Sequence, residues 1–174
     1  MNKFEYVWLD GYEPEPNLRS KVKIENYNGH LPEWSFDGSS TKQATGDNSD
    51  CILVPVAEYK TIDRIRPDAT QTAPGLEGSY VMCEVLSANH EPHPSNTRTH
   101  CQNLISDEWW FGFEQEYFIY KNGRPLGWPE KKTPRPQGDY YCGVGADNVV
   151  GREISDRHAE ACMNAGINIT GTNA

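Results

Sequence analysis

The order of apolar and polar positions changes character near the middle of this 174-residue chain. The first half reads as strands and turns. "FEYVWLDG" is aromatic and β-branched enough for a strand that stops at Asp10-Gly11, and "SKVKIENYNG" alternates Val22 and Ile24 with charged neighbours before an Asn28-Gly29 turn. After a polar loop comes the apolar run "CILVPVAEY". The stretch from Asp63 to Gly78, rich in Pro, Gly, Asp and Thr, predicts a long connection. "SYVMCEVL" (79–86) is apolar except for Glu84, which predicts a strand buried on both faces.

"SANHEPHPSNTR" breaks the pattern. Pro92 and Pro94 end any regular element, and Ser95 or Asn96 can cap a helix running through "TRTHCQNLI". The domain boundary is expected near residue 90, dividing the chain into 1–90 and 91–174. Beyond it the pattern predicts a strand "WWFGFEQEYFIY", a Pro/Gly-rich stretch from Gly123 to Gly138, and a helix from about Arg152 to Asn164 closed by Gly166. The last residues, "INITGTNA", read as a β-like approach that stops without a turn.

Composition narrows the class. Hydrophobic residues make up 36%, so the core must be small and loops plentiful, while 11% aromatics and unpatterned Gly and Pro exclude a disordered or collagen-like chain. The net charge of −9 disfavours a nucleic-acid or anionic membrane surface, which needs clustered Lys and Arg. An acidic chain that handles anionic small molecules needs metal cations to bring them in. Cys51, Cys83, Cys101, Cys142 and Cys162 are odd in number, widely spaced and without a Cys-x-x-Cys pair, which predicts reduced thiols. With no apolar signal segment in "MNKFEYVWLDG" and no run long enough for a membrane span, the cytoplasm is the default expectation. Asn168-Ile169-Thr170 matches a glycosylation acceptor only by chance on this reading.

Two stretches carry candidate chemistry. "EWSFDGSS" (33–40) sets two aromatics before a run of glycine and short polar side chains; such a loop can close over a ligand or serve as a plain surface turn. In "FGFEQEYF", a strand would put Glu114 and Glu116 on one face with Cα atoms roughly 7 Å apart. Two such carboxylates repel one another unless a cation joins them, and oxygen-only donors suit Mg²⁺ or Mn²⁺. The spacing fits two neighbouring ions, one carboxylate each, the arrangement used to orient ATP phosphates. An edge strand with its polar face in water gives the same pattern.

Other signals are weaker. His90 and His93 have H-x-x-H spacing, but the intervening Pro92 spoils the helix that would converge them, so both are expected as exposed loop histidines. "GVGAD" lacks the offsets of a dinucleotide or phosphate-binding loop and says only that backbone passes close to something. Trp34, Trp109, Trp110 and Trp128 suit a core or a stacking surface.

Taken in order, "WLDG", "LPEWSFDGSS", "GDNSD" with "LVPVA", "VMCEV", "PSNTR", "WFGFEQEYF", "PLGWP", "PQGDYYCGVGAD" and "GREISDRHAEACMNAGINITGTNA" together resemble glutamine synthetase of the type II form. The resemblance implies an α+β chain: a β-grasp domain followed by the start of an α/β catalytic domain. It implies ATP-dependent condensation of glutamate with ammonium through γ-glutamyl phosphate. Carried over by motif, Glu114 and Glu116 match metal-ligating glutamates, one for each Mg²⁺ or Mn²⁺ ion, with Glu114 also near the nucleotide phosphates. Trp110 matches an aromatic close to the nucleotide. Asp37 matches the aspartate that holds ammonium and takes its proton, and Ser40 a serine that shapes the same loop. Trp34 and Phe36 are then anchors for that loop. The resemblance also implies a homo-oligomer whose active site is shared between neighbouring subunits.

The family continues past "GTNA" with further metal-binding glutamates, a histidine and several arginines, which this chain does not contain. "TIDRIRPDATQTAPGLEGS" is read as a tolerated surface insertion. The expectation is an N-terminal portion, inactive alone. Two alternatives stand beside it: a short non-catalytic relative that binds a full-length subunit, and an acidic carbohydrate-binding module with Ca²⁺ at Glu114 and Glu116.

Overall fold

A computed structural model describes residues 1–26, 28–61 and 78–173. The long connection expected from Asp63 lies outside these residues, apart from Gly78, which opens a strand. The chain divides into two compact units, Met1–Trp109 and Trp110–Ala174.

The first unit is a mixed sheet of five strands: β1 (Asn2–Leu9), β2 (Leu18–Glu25), β3 (Trp34–Asp37), β4 (Asp50–Thr61) and β5 (Gly78–Ser87), in the order β2-β1-β5-β4-β3. β1 pairs antiparallel with β2 and parallel with β5, while β4 runs antiparallel to both β5 and β3. The ladder between β4 and β5 slips at Pro55/Ala57, where proline withholds a ladder donor. Gly29 takes φ +89 and the His30 N–H donates to Asn28 Oδ1, so the expected bend at Asn28-Gly29 forms. It is not a hairpin, because β2 and β3 end up on opposite edges of the sheet.

Burial follows the period of two. Phe4, Tyr6 and Trp8 from β1, Phe36 from β3, Cys51 and Leu53 from β4, and Val81, Cys83 and Val85 from β5 form one cluster, with Leu31, Trp34 and Ala44 packed against it. β5 was expected to be buried on both faces and is not: Ser79, Val81, Cys83 and Val85 point inward, whereas Tyr80 is 46% exposed. The reason is topological. A central strand is buried on both faces only when layers cover both, and among the described residues this core lies on one side of the sheet.

After β5 the connector is pinned to its end, with His93 N–H donating to Val85 O and Leu86 bridging to Pro92. Asn96, not Ser95, caps helix α1 (Thr97–Gln102), accepting from Thr99 N–H at 3.3 Å. The helix stops earlier than the sequence pattern suggested.

In the second unit, β6 (Tyr120–Lys121) and β7 (Arg124–Pro125) form a minimal hairpin around Asn122 (φ 53) and Gly123 (φ 75), the two left-handed residues that a tight type I′ turn requires. Helix α2 covers Arg152–Asn164 as expected. Gly166 at φ +80 ends it, with Gly166 N–H donating to Met163 O and Ile167 N–H to Cys162 O, a Schellman closure. The strand expected from Trp109 does not form: among the described residues, 109–119 join no β-ladder, although Leu126 N–H donates to Ile119 O, and only Tyr120–Lys121 joins one. Alternation alone does not make a strand, since its backbone groups need a partner. Phe111 and Phe113 still stack, with ring centroids 6.5 Å apart, as neighbours two positions apart on one face would.

Candidate functional site

The Asp37 turn is built where β3 meets its partner. Asp37 sits opposite Asp50 in the β3–β4 register, and the chain then enters a single 3-10 turn, Gly38–Thr41. Glycine is required at position 38: a Cβ there would lie 2.6 Å from Cys51 Sγ and 3.0 Å from Ala44 Cβ. Gly38 N–H donates to Ser49 O at 2.7 Å, and the Gly38 carbonyl accepts from Gln43 and Ala44 N–H, which folds the segment back on itself. Lys42 closes the turn in the left-handed conformation at φ 57.

Asp37 is exposed and caps this turn, its Oδ1 accepting from Ser39 Oγ at 2.6 Å and Ser39 N–H at 2.9 Å. These donors, with a contribution from Ser49, outweigh slight desolvation and hold the carboxyl below its ordinary range. Asp37 is therefore an anion at neutral pH, presented at the surface on a rigid turn. Ser40 lies on the same turn and is also exposed.

The two aromatics before Asp37 are anchors. Phe36 is buried against Trp8 with ring centroids 4.7 Å apart. Trp34 meets Tyr6 edge-on at 5.4 Å, and Lys21 Nζ lies 3.7 Å over the Trp34 ring while donating to Ser35 O. Desolvation there lowers the Lys21 pKa. From the other side, Gly11 N–H donates to Thr41 O, and a Cβ on Gly11 would fall 2.4 Å from Lys42 O. The "WLDG" stretch thus fits closely against the turn.

Next to it lies a carboxylate that the sequence reading did not single out. Asp10, 1% exposed, accepts from Tyr12 and Asn17 N–H, Asn17 Nδ2 and Arg19 Nε. Burial by itself raises its pKa; the four donors more than reverse this and bring it down to about 2. This is a sealed structural anion that shapes the 10–17 loop.

The other predicted residues fall in the second unit. Trp110 is 95% exposed, and Glu114 and Glu116 are exposed on a segment that joins no described β-ladder. Their donor chemistry, two carboxylates and no nitrogen or sulfur, fits Mg²⁺ or Mn²⁺. Among the described residues, however, no three His, Cys, Asp or Glu side chains gather as a metal-holding group, so the pair is at most part of a ligand set. The "GVGAD" glycines border a cavity of about 310 Å³ lined by Gly143, Val144, Gly145, Ala146, Val149 and Arg152. The close approach expected there is present at Gly143, where a Cβ would sit 2.9 Å from Tyr140 O.

The two histidines part company. His90 is exposed, with Nδ1 3.9 Å from Glu33 Oε2. His93, expected in solvent, is half-buried instead: Nε2 reaches the Gln43 carbonyl and Nδ1 lies 2.9 Å from Ser95 Oγ. The prolines exclude a helix, and hydrogen bonds to Gln43, Ser95 and Val85 hold the residue against the sheet end. Gln43 and Thr41, buried polar residues of the Asp37 turn, also escaped the sequence reading, because a polar side chain satisfied only by tertiary partners leaves no local signature. No described helix is long and apolar enough to cross a membrane.

A family model described as the beta-Grasp domain of glutamine synthetase matches residues 1–88. Glutamine synthetase of Bradyrhizobium diazoefficiens is 50% identical over 181 residues, which cover 99% of this chain and 48% of that protein. That of Rhizobium meliloti is also 50% identical, over 99% of this chain and 51% of its own length. That of Rattus norvegicus is 44% identical, over 97% of this chain and 44% of its own. The chain spans about half the length of the curated relatives it matches. A sheet of five strands carrying a fixed, anionic Asp37 turn, together with these matches, places the chain in the glutamine synthetase family.

Proposed function

We propose that this chain supplies the ammonium-handling turn and the first metal-binding carboxylates of a glutamate–ammonia ligase, in which ATP phosphorylates the glutamate γ-carboxylate and ammonia displaces the phosphate. The observation that carries the reading is Asp37. Ammonium is the dominant species at neutral pH but only neutral ammonia is a nucleophile, so the site needs a fixed anion to hold the cation and then take a proton. Asp37 is ionised, exposed and held by two donors from Ser39 on a turn that glycine and buried polar residues keep in place.

Glu114 and Glu116 are the residues that would hold Mg²⁺ or Mn²⁺. Bound there, the metal would neutralise ATP phosphates, and Trp110 would lie beside the nucleotide. The relatives are about twice as long; on this reading the site would be completed by further sequence of the ligase and by a neighbouring subunit of a homo-oligomer. The 174 residues alone form no glutamine on this reading. The test is Asp37→Ala in the intact ligase carrying this sequence. Turnover with ammonium falls by about 10²- to 10⁴-fold while ATP affinity stays within about twofold. Loss of ATP binding in its place overturns the assigned role.

A second reading has its own support. Trp110, Phe113 and Phe118 are 95%, 93% and 74% exposed, an apolar surface that suits a short relative docked on a full-length subunit. The intact mass of the protein from its natural source separates the two readings: about twice the present chain supports the ligase, and the present chain in a stable complex supports the partner.

A further inference from the structure

The half-buried His93 is tied to the Asp37 turn by hydrogen bonds whose directions can be worked out. Ser95 N–H, which can only donate, points at His93 Nδ1 at 3.1 Å. Nδ1 must therefore carry a lone pair, which leaves the proton of the neutral ring on Nε2. That Nε2–H donates to the Gln43 carbonyl. Ser95 Oγ accepts from Gln43 Nε2 at 2.9 Å and gives its own proton to His93 Nδ1 at 2.9 Å. Gln43 Nε2 also donates to Leu9 O at 3.2 Å, and its Oε1 lies 2.8 Å from Thr41 Oγ1. Each donor faces an acceptor around this circuit, although Gln43 and His93 are fifty positions apart in sequence.

The circuit links three places: the end of β1, the turn that starts at Asp37, and the connector after β5. The connector is a firm support, since His93 N–H is bonded to Val85 O and Asn96, 5% exposed, donates to Val85 O at 3.1 Å. Pro92 and Pro94 restrict the backbone on either side of His93. On the turn, Gln43 N–H returns to Gly38 O, one residue from Asp37. A displacement of Gln43 is thus passed directly to the peptide that carries the carboxylate.

We propose that His93 is a positioning residue for Asp37: fixed as the Nε2–H tautomer by Ser95, it clamps the Gln43 carbonyl and so sets the place of the turn. Its consequence for ammonium rests on the ligase reading, whereas the clamp itself does not. Three measurements test it. In the 174-residue chain, long-range ¹H–¹⁵N correlation reads the His93 tautomer, and Nε2–H is expected; an Nδ1–H ring overturns the clamp. Amide exchange at Gly38–Ala44 is expected to quicken by about three- to tenfold in His93→Ala, the loss of one hydrogen bond, and to recover in His93→Gln, whose amide nitrogen can reach the same carbonyl, with β1 and β5 unchanged. Equal exchange in all three proteins also overturns it. In the intact ligase, His93→Ala raises KM for ammonium at least threefold with the KM for ATP unchanged, and His93→Gln restores it. If Asp37→Ala impairs ammonium use and His93→Ala does not, the positioning role is wrong; if neither does while the clamp measurements hold, the ligase reading fails and the clamp stands.

Discussion

Both units carry many aromatic residues and treat them in opposite ways. In Met1–Trp109, Phe4, Tyr6, Trp8 and Phe36 are buried in one cluster, while in the second unit Trp110, Phe113, Phe118 and Tyr141 stand in solvent. The difference teaches that an apolar pattern is a demand for a partner, and that the fold depends on whether the partner is at hand. β1 finds β2 and β5 and becomes the centre of a core. The "FGFEQEYF" segment has the same alternation and, among the described residues, finds no ladder.

The comparison can be broken most severely at Tyr6. It is fully buried, packs edge-on to Trp34, and donates its hydroxyl to Pro32 O at 2.8 Å; desolvation and the nearby Glu25 raise its pKa to about 12. Tyr6→Ala should cost about 3–5 kcal/mol in chemical denaturation of the first unit, whereas Phe113→Ala should stay within about 0.5 kcal/mol. Comparable losses at both positions would mean that the second unit has a core after all.

Acid sharpens the same contrast. Asp10 has a folded pKa of about 2 against an ordinary value of 3.8, so it stabilises the folded state above pH 3.8 and loses that contribution as pH falls toward 2. Asp37, also lowered, acts in the same direction. Melting curves should therefore show wild type above Asp10→Asn at pH 5, with the gap closing between pH 3.8 and 2. A gap that stays constant would show that the Asn17, Tyr12 and Arg19 donors do not prefer the ionised form.

A loss smaller than that at Tyr6 is expected at Asn96. Its side chain caps α1 through Thr99 N–H and holds β5 through Val85 O. Asn96→Ala should cost about 1 kcal/mol, because Val85 O loses one of its two donors and keeps only His93 N–H, while α1 loses its cap. Asn96→Asp would keep the cap and lose the donor, which separates the two contributions by thermal melt.

Much of this was legible in the residues, for reasons that differ from place to place. The strands of the first unit follow from alternation and from the glycine and asparagine that interrupt it, and the end of α2 follows from Gly166. The hairpin at Asn122-Gly123 was equally legible and went unread, because the surrounding prolines and glycines looked like a plain loop. The 109–119 strand was over-read: period two specifies a face but not a neighbour. At the candidate site, Asp37 was singled out through its motif, and the packing of Trp34 and Phe36 that anchors its turn was expected with it. Gln43, His93 and Asp10 were not, since each is defined by partners far along the chain or by burial that no short window reveals.

The position of β5 has a consequence for synthesis. It is the fifth of the described strands in chain order, yet it lies between β1 and β4 and, among the described strands, alone joins the β1–β2 ribbon to the β3–β4 ribbon. Until Ser87 has left the ribosome, the nascent chain consists of two ribbons with unpaired edges and half-exposed aromatics. The Asp37 turn lacks its His93 brace until then, because the connector follows β5 directly.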